Sequence, residues 1–287
     1  MKKLWLTVGL IAFLSGLLVI VLVVNPRGPR EPEYHGRKLT RWLDDLDDHS
    51  PIKQTNAIVA IRQMGTNAVP FLVQMLRARD SRFRTRCIDL LERQHWIDFH
   101  FHYAYQKHSI AFLALAYLGP DAKAAIPDVA GSLKTGQDGL MAPLVLSRIG
   151  RPAVPALEDA LTSSNVYARQ GAIDGLARLA DPSSIPNLLA ALKDPNWLIR
   201  FSTAMALRRF SDQASVVVPA LTNSLDDPDY RVQVEAARTL GSFGADARPA
   251  FRKLLQMVRS TNSQVSESAA NALKDIDPEA GAKLNGK

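Results

Sequence analysis

The residues best suited to chemistry gather in one stretch. From His95 to Tyr105 the chain reads His-Trp-Ile-Asp-Phe-His-Phe-His-Tyr-Ala-Tyr, holding three of the six histidines, and His108 follows. In an extended strand alternate side chains share a side, so His100 and His102 would lie together. With Asp98 or His108 they would supply imidazole and carboxylate donors of the kind that hold zinc. Against this, no two of these histidines stand at a helical i, i+4 interval and no H-E-x-x-H occurs. The stretch reads instead as the packing of an enlarged loop, with Trp96, His100 and His102 as a candidate partner-binding surface, and no cofactor or metal is expected.

A second set of candidates is cationic. Arg62, Arg148, Arg178, Arg208, Arg209, Arg238 and Lys274 recur near the ends of apolar-periodic segments, on the side away from the apolar residues. Two readings compete: a solvated face favoured by the negative end of each helix, or a groove for an acidic partner. Arg77, Arg79, Arg82, Arg84 and Arg86 form a denser cluster, read as a charged turn between helices, with phospholipid headgroups or nucleic acid as the functional alternatives. A net charge of +7 over 287 residues is mild for a nucleic-acid binder, and none is expected. The single cysteine, Cys87, cannot form an intramolecular disulfide and reads as a buried, inert thiol. There is no G-x-S-x-G, Walker loop, G-x-G-x-x-G or Cys-x-x-Cys, so the chain reads as a non-enzyme.

The elements that position these residues form a repeat. Gly65, Gly119, Gly150, Ala180, Ser211, Gly244 and Asp277 each end a helical pattern, and from Gly119 onward they recur at a nearly constant interval. One residue earlier stands Met64, Leu118, Ile149, Leu179, Phe210, Phe243 or Ile276. Four earlier stands Ile61, Leu115, Leu146, Leu176, Leu207, Leu240 or Leu273, and eight earlier Ala57, Ala111, Ala142, Ala172, Thr203, Ala236 or Ala269. Steps of three and four place all three on one helical stripe, and the small residue marks a close helix-to-helix approach. Pro70, Pro127, Pro155, Pro186, Pro219 and Pro249 follow the anchors and are expected in the first turn of the next helix. A degenerate unit near 80–108 fills the double gap, with Cys87 at the small position and Leu91 at the aliphatic one. Arg84, Arg169 and Arg200 each stand three helical turns before the end of their unit, in the same register.

The chain opens with Lys2 and Lys3 and then an uncharged run from Leu4 to Val24. As a helix that run measures roughly 31 Å, matching a bilayer core, and it lacks the small-residue end of a cleavable signal. Residues 1–24 therefore read as a single-pass membrane anchor, and the short basic N-terminus leans the remainder towards the outside of the cytoplasm. Residues 25–39, with Pro26, Pro29 and Pro32, read as an extended stalk. Thr40 is placed to cap a short helix bearing Trp42, Leu43 and Leu46. Residues 40–277 then form an all-α superhelix of about eight helical hairpins, and 278–287 a flexible tail.

The Ala-Leu-x-x-Ile/Leu-Gly and Gly-x-x-Ala-x-Pro elements over residues 50–277 resemble HEAT repeats, in particular the short type found in phycobilisome lyases. Glu31-Pro32-x-Tyr34-x-Gly36-Arg37-x-Leu39-Thr40-x-Trp42-Leu43 is similar to the entry segment of a group of bacterial membrane-anchored HEAT-repeat proteins. The resemblance implies an α-solenoid whose second helices line a concave surface, here a basic one. It also implies a membrane-anchored scaffold that binds another protein of acidic character. An enzyme, either lyase-like or metal-dependent, is the first alternative. The His-Glu pairs of HEAT-repeat di-iron hydroxylases are absent from this chain. An anionic-surface or nucleic-acid binder is the second alternative.

Overall fold

The computed structural model describes residues 29–80, Arg86, 104–135 and 141–279. The anchor Leu4–Val24, the histidine-rich stretch with Trp96, His100 and His102, most of the degenerate unit with Cys87, and residues 280–287 lie outside the described residues. The chain divides into two compact units, residues 1–114 and 115–287.

In the first unit the proline-rich stretch does not stay extended as far as Leu39. Strands β1 (Glu33–Tyr34) and β2 (Arg37–Lys38) pair antiparallel around His35 and Gly36, both at positive φ. Helix α1 (Leu39–Leu46) follows at once, burying Leu39, Leu43 and Leu46 against α2 (Pro51–Met64). Its cap is not Thr40. The Glu31 carboxylate accepts the Thr40 N–H at 2.7 Å, and the Pro32 carbonyl accepts that of Leu39 at 2.9 Å. Arg37 stacks 4.3 Å from the Trp42 ring centre and pairs with Asp45 at 2.6 Å. The hairpin thus supplies the acceptors that a bare helix start lacks. Beyond Gly65, α3 (Val69–Leu76) completes the described first hairpin.

Helix α4 (Ala104–Leu118) leads into the second unit. There the helices alternate as five hairpins: α5 (Ile126–Thr135) with α6 (Met141–Ile149), α7 (Val154–Ala160) with α8 (Val166–Leu179), and α9 (Ile185–Ala191) with α10 (Trp197–Ala206). Then come α11 (Ala214–Ser224) with α12 (Tyr230–Ser242), and α13 (Phe251–Met257) with α14 (Ser263–Ile276). Second helices stack on second helices, α6 on α8, α8 on α10, α10 on α12 and α12 on α14, and α5 packs on α7 and α9 on α11 in the other layer. This is an α-solenoid arrangement, in which each hairpin buries its apolar face against its neighbours.

The repeat columns are the core. All seven small residues, from Ala57 to Ala269, and all seven aliphatic ones, from Ile61 to Leu273, are completely buried. Of the large residues before the anchors, only Leu179 is half-exposed. Gly65, Gly119, Gly150, Ala180 and Gly244 all turn the chain at positive φ. The break near Ser211 instead falls at Phe210 (φ −114°, ψ 42°), and Asp277 is extended. Pro70, Pro127, Pro155 and Pro186 sit in first turns as expected. Pro219 does not, because α11 begins five residues before it at Ala214, and Pro249 falls in the tight turn just ahead of α13. Close approach of α12 to α14 shows at Gly241, where a Cβ would lie 3.1 Å from the Ala272 Cα.

Among the described residues one helical run, Ala104–Thr135, is long and apolar enough to cross a membrane by length and composition. It is interrupted at Gly119, and its apolar side chains Ala111, Leu115, Val129 and Leu133 are fully buried within the protein.

Candidate functional site

The turns inside the hairpins, between first and second helices, fix how the second helices present themselves. Asn165, Asn196, Asp229 and Asn262 recur once per repeat, each accepting the N–H two residues on, so α8, α10, α12 and α14 start from the same side-chain cap. Two residues before each cap stands Ser163, Asp194, Asp227 or Ser260, accepting the cap residue's own N–H. The two aspartates also bind the repeat before them. Arg169 donates to both oxygens of Asp194 (2.8 and 3.1 Å), and Arg200 to both oxygens of Asp227 (2.7 and 2.8 Å). A third N–H reaches a turn carbonyl, Ser163 from Arg169 and Asp194 from Arg200, each at 2.8 Å. Gln233 makes the same reach to the Asp227 carbonyl at 2.7 Å. These bidentate, largely buried pairs lock the register between hairpins.

On that frame Arg148, Arg178, Arg208, Arg209 and Arg238 are all exposed, and Lys274 is half-buried. Arg62 is exposed on α2, in the first unit. Arg208 and Arg238 come together because both reach the carboxylate of Glu235, at 3.0 and 3.9 Å. Glu235 itself is buried. Burial pushes its carboxyl above the ordinary glutamate value, and Arg208 and Arg238 pull the other way. A cleft of about 410 Å³ opens beside the pair, lined by Arg208, Arg238, Gln264, Glu267, Asn271 and Asp275. It carries both signs of charge, so this end of the surface is a mixed-charge site rather than a uniformly basic one. On α8, half-burial raises the Asp174 carboxyl, opposed by Arg178.

Between the arginines α10 shows an apolar face. Trp197, Leu198 and Phe201 are half-exposed and Met205 is 42% exposed. Arg231 lies 3.3 Å from the Trp197 ring centre and is held by Asp229 at 2.6 Å. Neither this stripe nor Glu235 stands out by residue type. The signal lies in the columns of the last four units: ten residues before the anchors stand Gln170, Phe201, Val234 and Glu267, and six before stand Asp174, Met205, Arg238 and Asn271. Of these four helices only α10 is apolar at both.

Among the described residues no group of three His, Cys, Asp or Glu side chains could hold a metal. His108 is within hydrogen-bond distance of the Ala78 carbonyl, 2.9 Å from its Nε2.

A family model described as HEAT repeats matches residues 154–223 and 218–284. Over residues 154–284 the chain consists of HEAT repeats. No curated protein matches. Among solved structures, the karyopherin Kap121p bound to the extreme C-terminus of the protein phosphatase Cdc14p aligns at 14% identity and a TM-score of 0.52, covering 86% of this chain and 31% of that one. Kap121p bound to Nup53p aligns at 15% and 0.51, covering 86% and 30%. An engineered protein aligns at 18% identity and 0.41, covering 85% and 97%. This HEAT-repeat chain therefore spans about a third of the karyopherins it resembles, and at such identities the likeness is one of fold.

Proposed function

We propose that the protein is a non-catalytic, membrane-anchored scaffold that binds another protein on the second-helix surface of residues 141–279. The observation that carries this is the α10–α12 face. It presents Met205, Phe201 and Trp197 beside Arg208, Arg209 and Arg238; Trp197 and Arg208 also tie α10 to α12 through Arg231 and Glu235, whereas Met205 and Arg209 stay exposed. Large apolar groups flanked by arginine are the composition from which interface hot spots are built. The HEAT repeats support the reading, and so does the fold shared with a karyopherin solved bound to the C-terminus of Cdc14p and to Nup53p. Leu4–Val24 would hold the surface near a bilayer, with the repeats outside the cytoplasm.

The test is crosslinking in the native membrane followed by affinity purification of the full chain. A stoichiometric protein partner, crosslinked to residues on α8, α10 or α12, is expected. Purification with lipid alone, and a chromophore or metal in the product, would overturn the scaffold reading.

A further inference from the structure

Resting on the reading of Leu4–Val24 as a membrane anchor, we infer that the open face of α2, in the first unit, lies on the bilayer surface, with Ile52 and Val59 entering the headgroup region.

The first support is the composition of that face. Between residues 29 and 80 the large apolar side chains left exposed are Ile52 (74%) and Val59 (48%), and both belong to α2. Standing two turns apart, they share one stripe of the helix with Asn56 and Gln63, which are exposed as well. The opposite side of α2 is the packed one: Ala57, Ala60, Ile61 and Met64 are buried, and α1 and β1 both pack on this helix. Asn56 and Gln63 show that polar side chains fit the open stripe, so folding does not demand isoleucine and valine there. The other surfaces of the unit suit lipid less well. The outer side of α1 exposes Arg41, Asp44 and Asp47, and the entry hairpin exposes Glu33 and Lys38, charges that burial against lipid would penalise. On α3 the apolar Phe71, Val73 and Met75 are mostly covered within the protein. The α2 stripe carries no charge, and α2 has no carboxylate at all. The carboxylate nearest to Ile52 along the chain, Asp48, is held by Lys53 at 2.7 Å.

The second support is the shortness of the tether. Only residues 25–28 separate Val24 from Pro29, and fully extended that link spans at most about 18 Å. Directly after it the chain is fixed to the unit, because Glu31 and Pro32 accept the N–H groups of Thr40 and Leu39 and β1 packs on α2. The unit is thus held within about two helix diameters of the bilayer. So short a link sets a high effective concentration of lipid surface, at which a contact made by two side chains persists. An apolar stripe on a helix lying parallel to the surface is the geometry by which interfacial helices hold to lipid.

The probe is the full chain in vesicles of phosphatidylcholine and phosphatidylglycerol, with Cys87→Ser and one introduced cysteine at a time carrying an environment-sensitive fluorophore. Labels at Ile52→Cys and Val59→Cys should emit at shorter wavelength, and should lose emission when the phosphatidylcholine is brominated near the top of its acyl chains. A label at Asp47→Cys, on the charged side, should keep its emission with that lipid and lose it to aqueous iodide. Adding Ile52→Asp should return the label at Val59→Cys to water and abolish its quenching by brominated lipid. Circular dichroism of each variant checks that the helices persist.

Iodide quenching at Ile52→Cys equal to that at Asp47→Cys, in a chain that still resists alkaline extraction, would overturn this inference and leave the anchor standing. Short-wavelength emission that brominated lipid does not quench would overturn it too, giving the stripe to a protein surface. Release of the chain by alkaline extraction would remove the anchor itself, and with it the membrane-bound part of the scaffold reading.

Discussion

Replacing Arg200 by Met should destabilise the repeats by about 3 kcal/mol, the lower end of the cost of breaking a buried ion pair. Arg200 places two charge-assisted hydrogen bonds on Asp227 and a third on the Asp194 carbonyl, and the two side chains of the pair are only 12% and 7% exposed. Removing one partner of a buried pair costs about 3–5 kcal/mol, because the other charge is left uncompensated. Asp227 would keep the Asp229 N–H at 2.9 Å, which holds the loss to the lower end of that range. Methionine preserves most of the stem volume, so little of the loss would come from packing. At about 2–4 °C per kcal/mol for a unit of this size, the thermal midpoint should fall by roughly 6–12 °C. Adding Asp227→Asn removes the stranded charge and should restore about half of that loss, so the double variant should cost less than the sum of the two singles in a double-mutant cycle. Because repeat arrays open in pieces, hydrogen exchange should show the loss first in α10 and the start of α12. A single-variant cost below about 1 kcal/mol, the worth of an exposed pair, or a double variant costing the sum of the two singles, would refute the claim that this pair holds the register.

Three further outcomes follow from local geometry. Ala180 is the one repeat anchor with a side chain held in the left-handed region (φ 48°, ψ 37°), so Ala180→Gly should stabilise the protein by about 0.5–1 kcal/mol in denaturant titrations, and any loss would refute the strain. Burial raises the Glu235 carboxyl, so the folded state holds that proton more tightly than the unfolded one. Its contribution is therefore fullest below the ordinary value of 4.5 and is lost as pH rises through the raised one. Glu235→Gln mimics the protonated form, and its stability relative to wild type should improve between pH 4 and pH 7; a flat difference would exclude a raised carboxyl. At the entry hairpin, Glu31→Ala should cost about 1 kcal/mol and speed exchange of the Thr40 amide, whereas Thr40→Ala should leave that amide protected.

The repeat was legible because packing imposes it. A helix that stacks on two neighbours needs a small side chain where they approach and an aliphatic one a turn later, and Ala57–Ile61 through Ala269–Leu273 meet that need seven times. Periodicity alone also placed most of the prolines and the positive-φ glycines. What it missed depends on side chains reaching out of their own helix. Thr40 looks like a helix cap by residue type, but the hairpin brings Glu31 back over the same N–H, a contact nine residues away. The Arg169 and Arg200 columns were visible as spacing, yet their partners Asp194 and Asp227 stand 25 and 27 residues later, in the following turn. The arginines near the helix ends were legible as positions and not as a charge pattern, since Glu235, which gathers two of them, hides among residues that sequence assigns to the core.

The α10 stripe was hidden for a related reason. An apolar residue in an apolar-periodic helix is ordinarily assigned to the core, and Trp197, Phe201 and Met205 look like more of the same stripe until the columns are laid side by side. Stacking demands match from repeat to repeat, because each hairpin presents the same face to its successor. A side chain that departs from its column is under a different constraint. At the position of Phe201 the neighbours hold Gln170, Val234 and Glu267, and at that of Met205 they hold Asp174, Arg238 and Asn271. If stacking dictated these positions, Glu267 and Asn271 on α14 would leave a gap, whereas they line an open cleft. The core columns therefore account for the fold, and the off-column residues of α10 for a surface whose composition stacking leaves free to suit a partner.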